Sequence, residues 1–357
     1  MAVFRYSNPP VIHWGALSLS NLGEELEQRK ARRAVIVTTR SLLTARSPLA
    51  GDELITRLRQ AMGGCSAPIT VQISQHAPLA EVEAAIERAA EAEVDGVVSF
   101  GGGSPIDAAK MVAVRLADRR HISDRSLPHV AVPTTLSVAE LAGGAGYTDA
   151  AGNKAGVRDA RLIPHAVIYD SELTLSTPLP LWLSTGIRAL DHAVEGFLAD
   201  GDHPFNDAMA LEAVRRLFGS LPKAKAKPND VDLRTENQLG AWFSFTLPGA
   251  SASGLSHVMG KQIGARHRIP HGVTSCLLLP HVMRYLANTQ SERMKELGAA
   301  TGGDDAAAAV QNLIEELGLP QHIAEFVVGE PELRRAAAEL AGKFAEKDLL
   351  KIYTAAL

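Results

Sequence analysis

The stretch DGVVSFGGGSPIDAAK, Asp95 to Lys110, decides the fold. Asp95 to Phe100 is a short β-branched and apolar run of the kind that forms a buried strand. It runs directly into Gly101-Gly102-Gly103-Ser104, and Pro105 is well placed to open a helix, predicted here over 105–114. Bare backbone N–H groups beside a helix N-terminus attract phosphate. The string is neither GxGxxG nor the phosphate loop that ends in Gly-Lys-Ser/Thr, so a tight turn without a ligand stays open as the plainer reading.

Working outward, the same rhythm repeats. Upstream lie a strand at Arg33 to Thr39 (RAVIVTT), a helix around 50–62, a strand at Ile69 to Ile73 and a helix at Leu79 to Glu93. Downstream, His129 to Val132 ends in Pro133-Thr134-Thr135-Leu136-Ser137, a hydroxyl-rich loop. Alternating strands and helices predict a doubly wound α/β sheet. Ligands of such sheets collect beyond the carboxyl ends of the strands, so two polar loops at one edge reinforce each other. Nearer the N-terminus, a strand around Val11-Ile12 precedes a helix over SLSNLGEELEQRK with a serine N-cap. Past the glycine-rich 142–156 stretch, a strand pair is expected near Val157 to Ile163 and Ala166 to Tyr169.

Pro178 and Pro180 then mark a boundary, giving an expected dinucleotide-binding α/β domain at 1–178 and an all-α domain at 179–357. Helices are predicted at 186–199, 204–219, 231–247, 253–266, 273–288, 291–301, 305–317 and 331–356, with the alanine-rich 302–317 stretch on the surface. The chain has 357 residues, 46% of them hydrophobic and 21% charged, as in an ordinary globular protein. A net charge of -4 provides no global field for nucleic acid or anionic lipid. Cys65 and Cys276 read as free thiols of a reducing compartment. Without a spanning apolar run or a targeting N-terminus, the expectation is a cytoplasmic protein.

The second chemical concentration is Gly254 to Tyr285 (GLSHVMGKQIGARHRIPHGVTSCLLLPHVMRY). His257 and Lys261 are four apart and share a helix face. Pro270-His271-Gly272 breaks the pattern and is expected to place His271 in a turn near His257. Thr185 to Gly196 repeats the logic: Ile187, Leu190, Val194 and Phe197 form an apolar stripe, and Arg188 and His192 are four apart. The bland alternatives are an Arg188 ion-pair ladder with Asp191 and Glu195, and a solvated Lys261. His165, His203, His267 and His281 read as hydrogen-bonded or exposed, and Cys276 as core.

Taken in order, Gly101 to Lys110, Pro133-Thr134-Thr135, Tyr169 to Thr174, His192-Ala193-Val194-Glu195, His257 and Pro270-His271-Gly272-Val273 resemble the iron-containing (group III) alcohol dehydrogenase family from about Val35 to Tyr285. The resemblance implies a dehydroquinate synthase-like dinucleotide domain and a helical domain for metal and substrate. It also implies a ligand set of one aspartate and three histidines, matching Arg188, His192, His257 and His271. Arg188 stands at the aspartate position, and Lys261 where metal-dependent members carry another histidine. Each added cation would repel a divalent ion by roughly 4 kcal/mol per unit-charge pair at about 4 Å in intermediate dielectric. A metal is therefore expected to be absent; if one is bound, its ligands are His192, His257 and His271.

Such a pocket is similar to that of the maleylacetate reductase branch, which implies NAD(P)H-dependent reduction of a dicarboxylate, and His76-Ala77-Pro78 adds to the likeness. On that resemblance Gly102, Gly103 and Ser104 hold pyrophosphate and Asp107 steadies the loop. Thr134, Thr135 and Ser137 contact phosphate or ribose, and Lys154 approaches the nicotinamide. Thr39 followed by Arg40, in place of an aspartate, makes NADPH acceptable beside NADH. Arg188 and Lys261 grip carboxylates, and one of the three histidines polarises the carbonyl or donates a proton; which one stays open. A homodimer is the expected assembly. Open alternatives are a metal-dependent alcohol or aldehyde dehydrogenase and a dehydroquinate synthase-like lyase.

Overall fold

In the computed structural model, which describes residues 6, 8–247, 254–326, 328–342 and 344–357, the β-branched runs form one parallel sheet. Its strands are β1 (Ile12–Trp14), β2 (Arg33–Thr38), β3 (Ser66–Gln72), β4 (Gly96–Gly101), β5 (His129–Pro133) and, after a separate antiparallel hairpin of β6 (Gly144–Thr148) and β7 (Lys154–Arg158), β8 (Ala166–Tyr169). The order across the sheet is β1-β8-β5-β4-β2-β3, and all pairings in it are parallel. The chain reverses its direction of travel between β2 and β4, so their carboxyl ends flank the switch point where such sheets bind ligands.

Helices α1 (Leu22–Gln28), α2 (Arg40–Leu43), α3 (Leu54–Ala61), α4 (Leu79–Glu91), α5 (Gly103–Arg119) and α6 (Ser171–Thr174) complete this unit. The two-residue strand period sorts the core. Val35, Val37 and Val97 pack with α4 and α5, while Ala34, Ile36, Val98 and Phe100 pack with α1 and α3. Each such fully buried Val, Ile or Phe side chain contributes on the order of 1.5–3 kcal/mol.

Three local expectations are corrected here. No serine caps the first helix: Ser18–Asn21 is a 3₁₀ turn, α1 starts at Leu22, and the Asp170 carboxylate takes the Leu19 N–H at 3.0 Å. The glycine-rich 142–156 stretch, for which no element is expected, supplies the β6–β7 hairpin, and of the strand expected near Val157 to Ile163 only Val157 and Arg158 lie in a strand, as the end of β7. Its weak intrinsic β preference is overridden by anchoring: Lys110 Nζ, buried, donates to the carbonyls of Ala139, Ala142 (2.9 Å) and Gly144 (2.8 Å). Finally, α5 begins at Gly103, two residues before the proline that was expected to open it.

The helical unit comprises Leu179–Lys227 and Leu239–Leu357, while Pro228–Gln238 groups with the α/β unit. Its elements are α7 (Leu179–Phe197), α8 (Pro204–Ala226), the end of α9 (Val231–Phe243) from Leu239 on, α10 (Leu255–His267), α11 (His271–Leu286), α12 (Ser291–Thr301), α13 (Ala306–Leu317), α14 (Glu330–Leu340) and α15 (Glu346–Ala355). Helix α7 starts at Leu179, inside the expected linker, because Pro180 sits in its first turn where no N–H is needed. The single helix expected at 331–356 is two, α14 and α15, with Gly342 between them at φ +140. Helix α13 lies at the surface with an amphipathic pattern: Asn312, Glu315 and Glu316 are exposed, and Ala306, Ala307, Val310, Leu313, Ile314 and Leu317 are buried. Ser253, the first residue of the helix expected at 253–266, lies outside the described residues. Among the described residues, no helix is long and apolar enough to cross a membrane.

Candidate active site

At the carboxyl edge of the sheet, the turn after β4 depends on Gly101. Its φ is +142, and a Cβ there would meet Pro105 Cγ at 2.8 Å. Gly102 is the N-cap of α5, and its Cα faces Thr135, whose Cγ2 would lie 3.1 Å from an added Cβ. Backbone bonds tie the two loops together: the Thr134 N–H donates to the Gly101 carbonyl (2.9 Å), and Thr177 Oγ1 donates to the Thr134 carbonyl (2.7 Å). Ser104 Oγ accepts the His76 N–H at 2.8 Å. Asp107 steadies its surroundings, accepting the Gly146 N–H (3.0 Å) and lying 3.5 Å from Lys110 Nζ. Burial raises the Asp107 carboxyl, with Lys110, Gly146 and Lys154 opposing. Lys154 opens β7, and its charge reaches both Asp107 and His76.

Three hydroxyls beside β2 and β5 at this edge are left over. Thr135 Oγ1, Ser137 Oγ and, at the end of β2, Thr38 Oγ1 are buried and find no hydrogen-bond partner among the described residues. Buried polar groups are nearly always satisfied, so such atoms call for a ligand or water. Thr39, next along, shares a 3.1 Å contact with Ser41 Oγ.

In the helical unit, the polar residues of α7, α10 and α11 meet at one place. Glycines let the helices approach: a Cβ on Gly272 would lie 2.7 Å from the backbone C and O of Ser184, and one on Gly260 would lie 2.9 Å from Thr274 Oγ1. Arg188 Nη2 donates to His257 Nδ1 and lies 3.2 Å from Nε2 of the same ring. Arg188 Nη1 reaches Ser275 Oγ (3.0 Å) and Asp191 Oδ2 (3.3 Å). His192 is buried, edge-on to Phe245 at 5.1 Å and 5.5 Å from the His257 ring. Glu195 accepts the first N–H groups of α10, from Gly254 (2.8 Å) and His257 (3.1 Å).

Burial sets the electrostatics. The His257 imidazole is held well below its usual range by desolvation, then by the charges of Arg188, His192, His271 and Lys261. Desolvation also pushes the Asp191 carboxyl up against the pull of Arg188, and pushes Glu195 to about 8 with help from Asp191. His271 is the first residue of α11 rather than a turn residue, because Pro270 serves as N-cap. Lys261 lies one turn beyond His257 and is exposed. The structure thus brings Arg188, His192 and His257 together, keeps His271 within electrostatic reach, and leaves Lys261 at the solvent side.

Asp191, Ser256, Ser275 and Glu195 were not singled out as site residues by the sequence reading. In sequence Asp191 and Glu195 read only as ion-pair partners of Arg188, and the 3.3 Å contact between Arg188 and Asp191 fits that pairing. The missed signal was Gly260 and Gly272, small residues spaced to let α10, α11 and α7 close on one another.

Two sequence profiles match: "Iron-containing alcohol dehydrogenase" over residues 9–171 and "Fe-containing alcohol dehydrogenase family, C-terminal" over 182–351. The chain belongs to the iron-containing alcohol dehydrogenase family. A maleylacetate reductase of Sphingobium indicum is 31% identical, the match covering 92% of this chain and 88% of the relative. A protein named probable alcohol dehydrogenase EutG, of Salmonella typhimurium, is 32% identical over 94% and 88%. The crystal structure of maleylacetate reductase from Agrobacterium tumefaciens superposes with a TM-score of 0.86 at 26% identity, covering 100% of this chain and 99% of that one. The chain is accordingly an oxidoreductase of this family, with the α/β sheet and helical unit that the family shares.

The family name implies iron, and the residues here do not fit it. The ring of His257 is already bonded to a guanidinium that carries its own positive charge. Among the described residues no three His, Cys, Asp or Glu side chains are grouped to hold a metal ion. A dinucleotide fares differently: the Gly101–Gly102 turn, the α5 N-terminus and the unpartnered Thr135 and Ser137 hydroxyls suit phosphate and ribose.

Proposed function

We propose that the protein is a maleylacetate reductase-like enzyme, reducing a keto dicarboxylate with NADPH or NADH and without a metal. The observation that carries this reading is the Arg188 guanidinium, buried among histidines and bonded to His257. The 31% identity with a maleylacetate reductase supports it.

When bound, the nicotinamide supplies a hydride for the carbon–carbon double bond conjugated with the ketone. The chain's residues would do the rest. Gly102, Gly103 and Ser104 with the α5 N-terminus hold the pyrophosphate, and Thr134, Thr135, Ser137 and Lys154 take ribose, phosphate and the nicotinamide side. At the end of β2, Thr39 and Arg40 leave room for a 2′-phosphate, where an acidic residue would repel it. Arg188 and Lys261 face the substrate carboxylates, arginine being suited to bidentate grip. His257, kept neutral at physiological pH, polarises the carbonyl through a hydrogen bond, and His192 or His271 delivers the proton that the enolate carbon takes up to give the saturated ketone. We place this chemistry in a cytoplasmic homodimer whose dinucleotide and substrate domains divide at 178/179.

The test is anaerobic oxidation of NADH and NADPH with maleylacetate, before and after exhaustive chelation, with metal content measured on the same sample. Turnover that survives chelation in metal-free protein is the expected result. Turnover that disappears on chelation and returns with ferrous or zinc ion would overturn the metal-free reading in favour of a metal-dependent alcohol or aldehyde dehydrogenase.

A further inference from the structure

Asp191 does more than pair with Arg188 along α7. Its Oδ2 gathers donors from three helices: Arg188 Nη1 on α7 (3.3 Å), Ser256 Oγ on α10 (3.0 Å) and Ser275 Oγ on α11 (2.6 Å). Ser275 closes the ring, since its oxygen also accepts from Arg188 Nη1 at 3.0 Å. An ordinary intrahelical pair has no need of two serines from other helices. From this cage the other end of the guanidinium, Nη2, projects onto the His257 ring. The backbone of His257 is fixed separately by the second buried carboxylate, Glu195.

We propose that Asp191 is a positioning residue: with Ser256 and Ser275 it holds the Arg188 guanidinium as a resident organic cation against His257. Three physical points support this. The guanidinium stays charged at any working pH, so the cage holds a permanent cation. A long arginine side chain otherwise carries about 2 kcal/mol of rotamer entropy, which the cage removes in advance. Preorganised charge in a water-poor site acts on a developing oxyanion without reorganising. Arg188 is then the group that meets substrate, and Asp191 acts only through it. The kinetic part of this inference rests on the reductase reading; the binding part does not.

The experiment uses Arg188→Ala, Asp191→Asn and the double variant, with ethylguanidinium chloride as probe. Calorimetry is expected to find saturable ethylguanidinium binding to Arg188→Ala, where the Asp191 carboxylate remains, and none to the double variant. With maleylacetate and NADPH, Arg188→Ala should lose on the order of a hundredfold in kcat and regain at least about tenfold with the probe. Asp191→Asn, nearly isosteric, should lower kcat/KM for maleylacetate while leaving the KM for NADPH unchanged. Equal probe binding to both variants, binding to neither, or an Asp191→Asn enzyme as fast as wild type would overturn the cage. Should Arg188→Ala fail to fold, the ¹⁵N signal of the Arg188 guanidinium decides: hindered exchange in wild type that persists in Asp191→Asn refutes the proposal, and its loss upholds it. Probe binding that depends on Asp191, in a protein whose wild type ignores maleylacetate, would sink the substrate reading and leave the cage standing.

Discussion

The glycine corner of the α/β unit and the arginine–histidine cluster of the helical unit are both buried and polar, but they are finished to different degrees. At the corner, backbone bonds fix the loops while Thr135 Oγ1 and Ser137 Oγ are left without partners among the described residues. In the cluster, the charged groups bond mainly to one another, Arg188 with His257, Ser275 and Asp191, and Glu195 with the start of α10, although Asp191 Oδ1 too is buried and finds no partner among the described residues. One region keeps capacity in reserve for a ligand. The other spends it on holding a cation in place. Removing a polar group should therefore cost stability in the cluster and ligand affinity at the corner.

The largest effect should come from Arg188→Met. It leaves the Asp191 carboxylate buried beside two serines with no cation, and breaking a buried pair typically costs about 3–5 kcal/mol. Urea unfolding should register a loss of that order along with the loss of turnover; a stable, inactive variant would break the comparison. Next comes Gly272→Ala. Its Cβ would sit 2.7 Å from the Ser184 backbone, so α7 and α11 must separate, at about 1–3 kcal/mol. Because that separation pulls Ser275 from Arg188, kcat should fall further than stability alone explains, as steady-state kinetics at a temperature well below unfolding would reveal.

How legible each region was follows from the same difference. The corner was readable because its chemistry is local: a strand, a glycine run and a helix start lie within Asp95 to Lys110, and the sheet order only had to bring Thr134 to Ser137 to the same edge. The fold class and family followed from those strings in sequence. The cluster was readable only in its cationic and imidazole members. Asp191 and Glu195 resemble any helix-surface acids until α10 and α11 close over α7, and Ser256 and Ser275 have no signal apart from that packing. The β6–β7 hairpin was missed for a related reason, since nothing in a glycine-rich string announces that a buried lysine 30 or so residues earlier will hold it.

A smaller and oppositely signed effect is expected at the corner. In Thr135→Val combined with Ser137→Ala, hydroxyls without partners are replaced by apolar groups, a change that can be neutral or stabilising in the free protein. Thermal unfolding without nucleotide should then be unchanged or raised, while each lost bond, at about 0.5–1.5 kcal/mol, should weaken NADPH binding, together by about fivefold to a hundredfold. Fluorescence titration with NADPH checks the second half. A variant destabilised without nucleotide but binding it normally would mean these hydroxyls are structural, and the contrast between the two regions would collapse.

The smallest effect is invisible at neutral pH. His129 opens β5, an interior strand, its Nε2 2.8 Å from Ser99 Oγ, and burial first, then the charges of Lys110 and His165, hold its imidazole well below the usual value. The folded protein therefore resists protonation at a site that the unfolded chain protonates near pH 6.5. Where the unfolded state binds more protons, stability rises with pH, so His129 should subtract stability progressively as the pH falls below about 6.5 and do nothing above it. His129→Asn keeps a polar partner for Ser99 and removes the titration. Urea midpoints of the variant should drop less than those of wild type between neutral and mildly acidic pH, the two running parallel above neutrality. Parallel curves over the whole range would mean that His129 is protonated within the fold. The α/β unit would then hold a second buried cation beside Lys110, whose ammonium is already bonded to three backbone carbonyls.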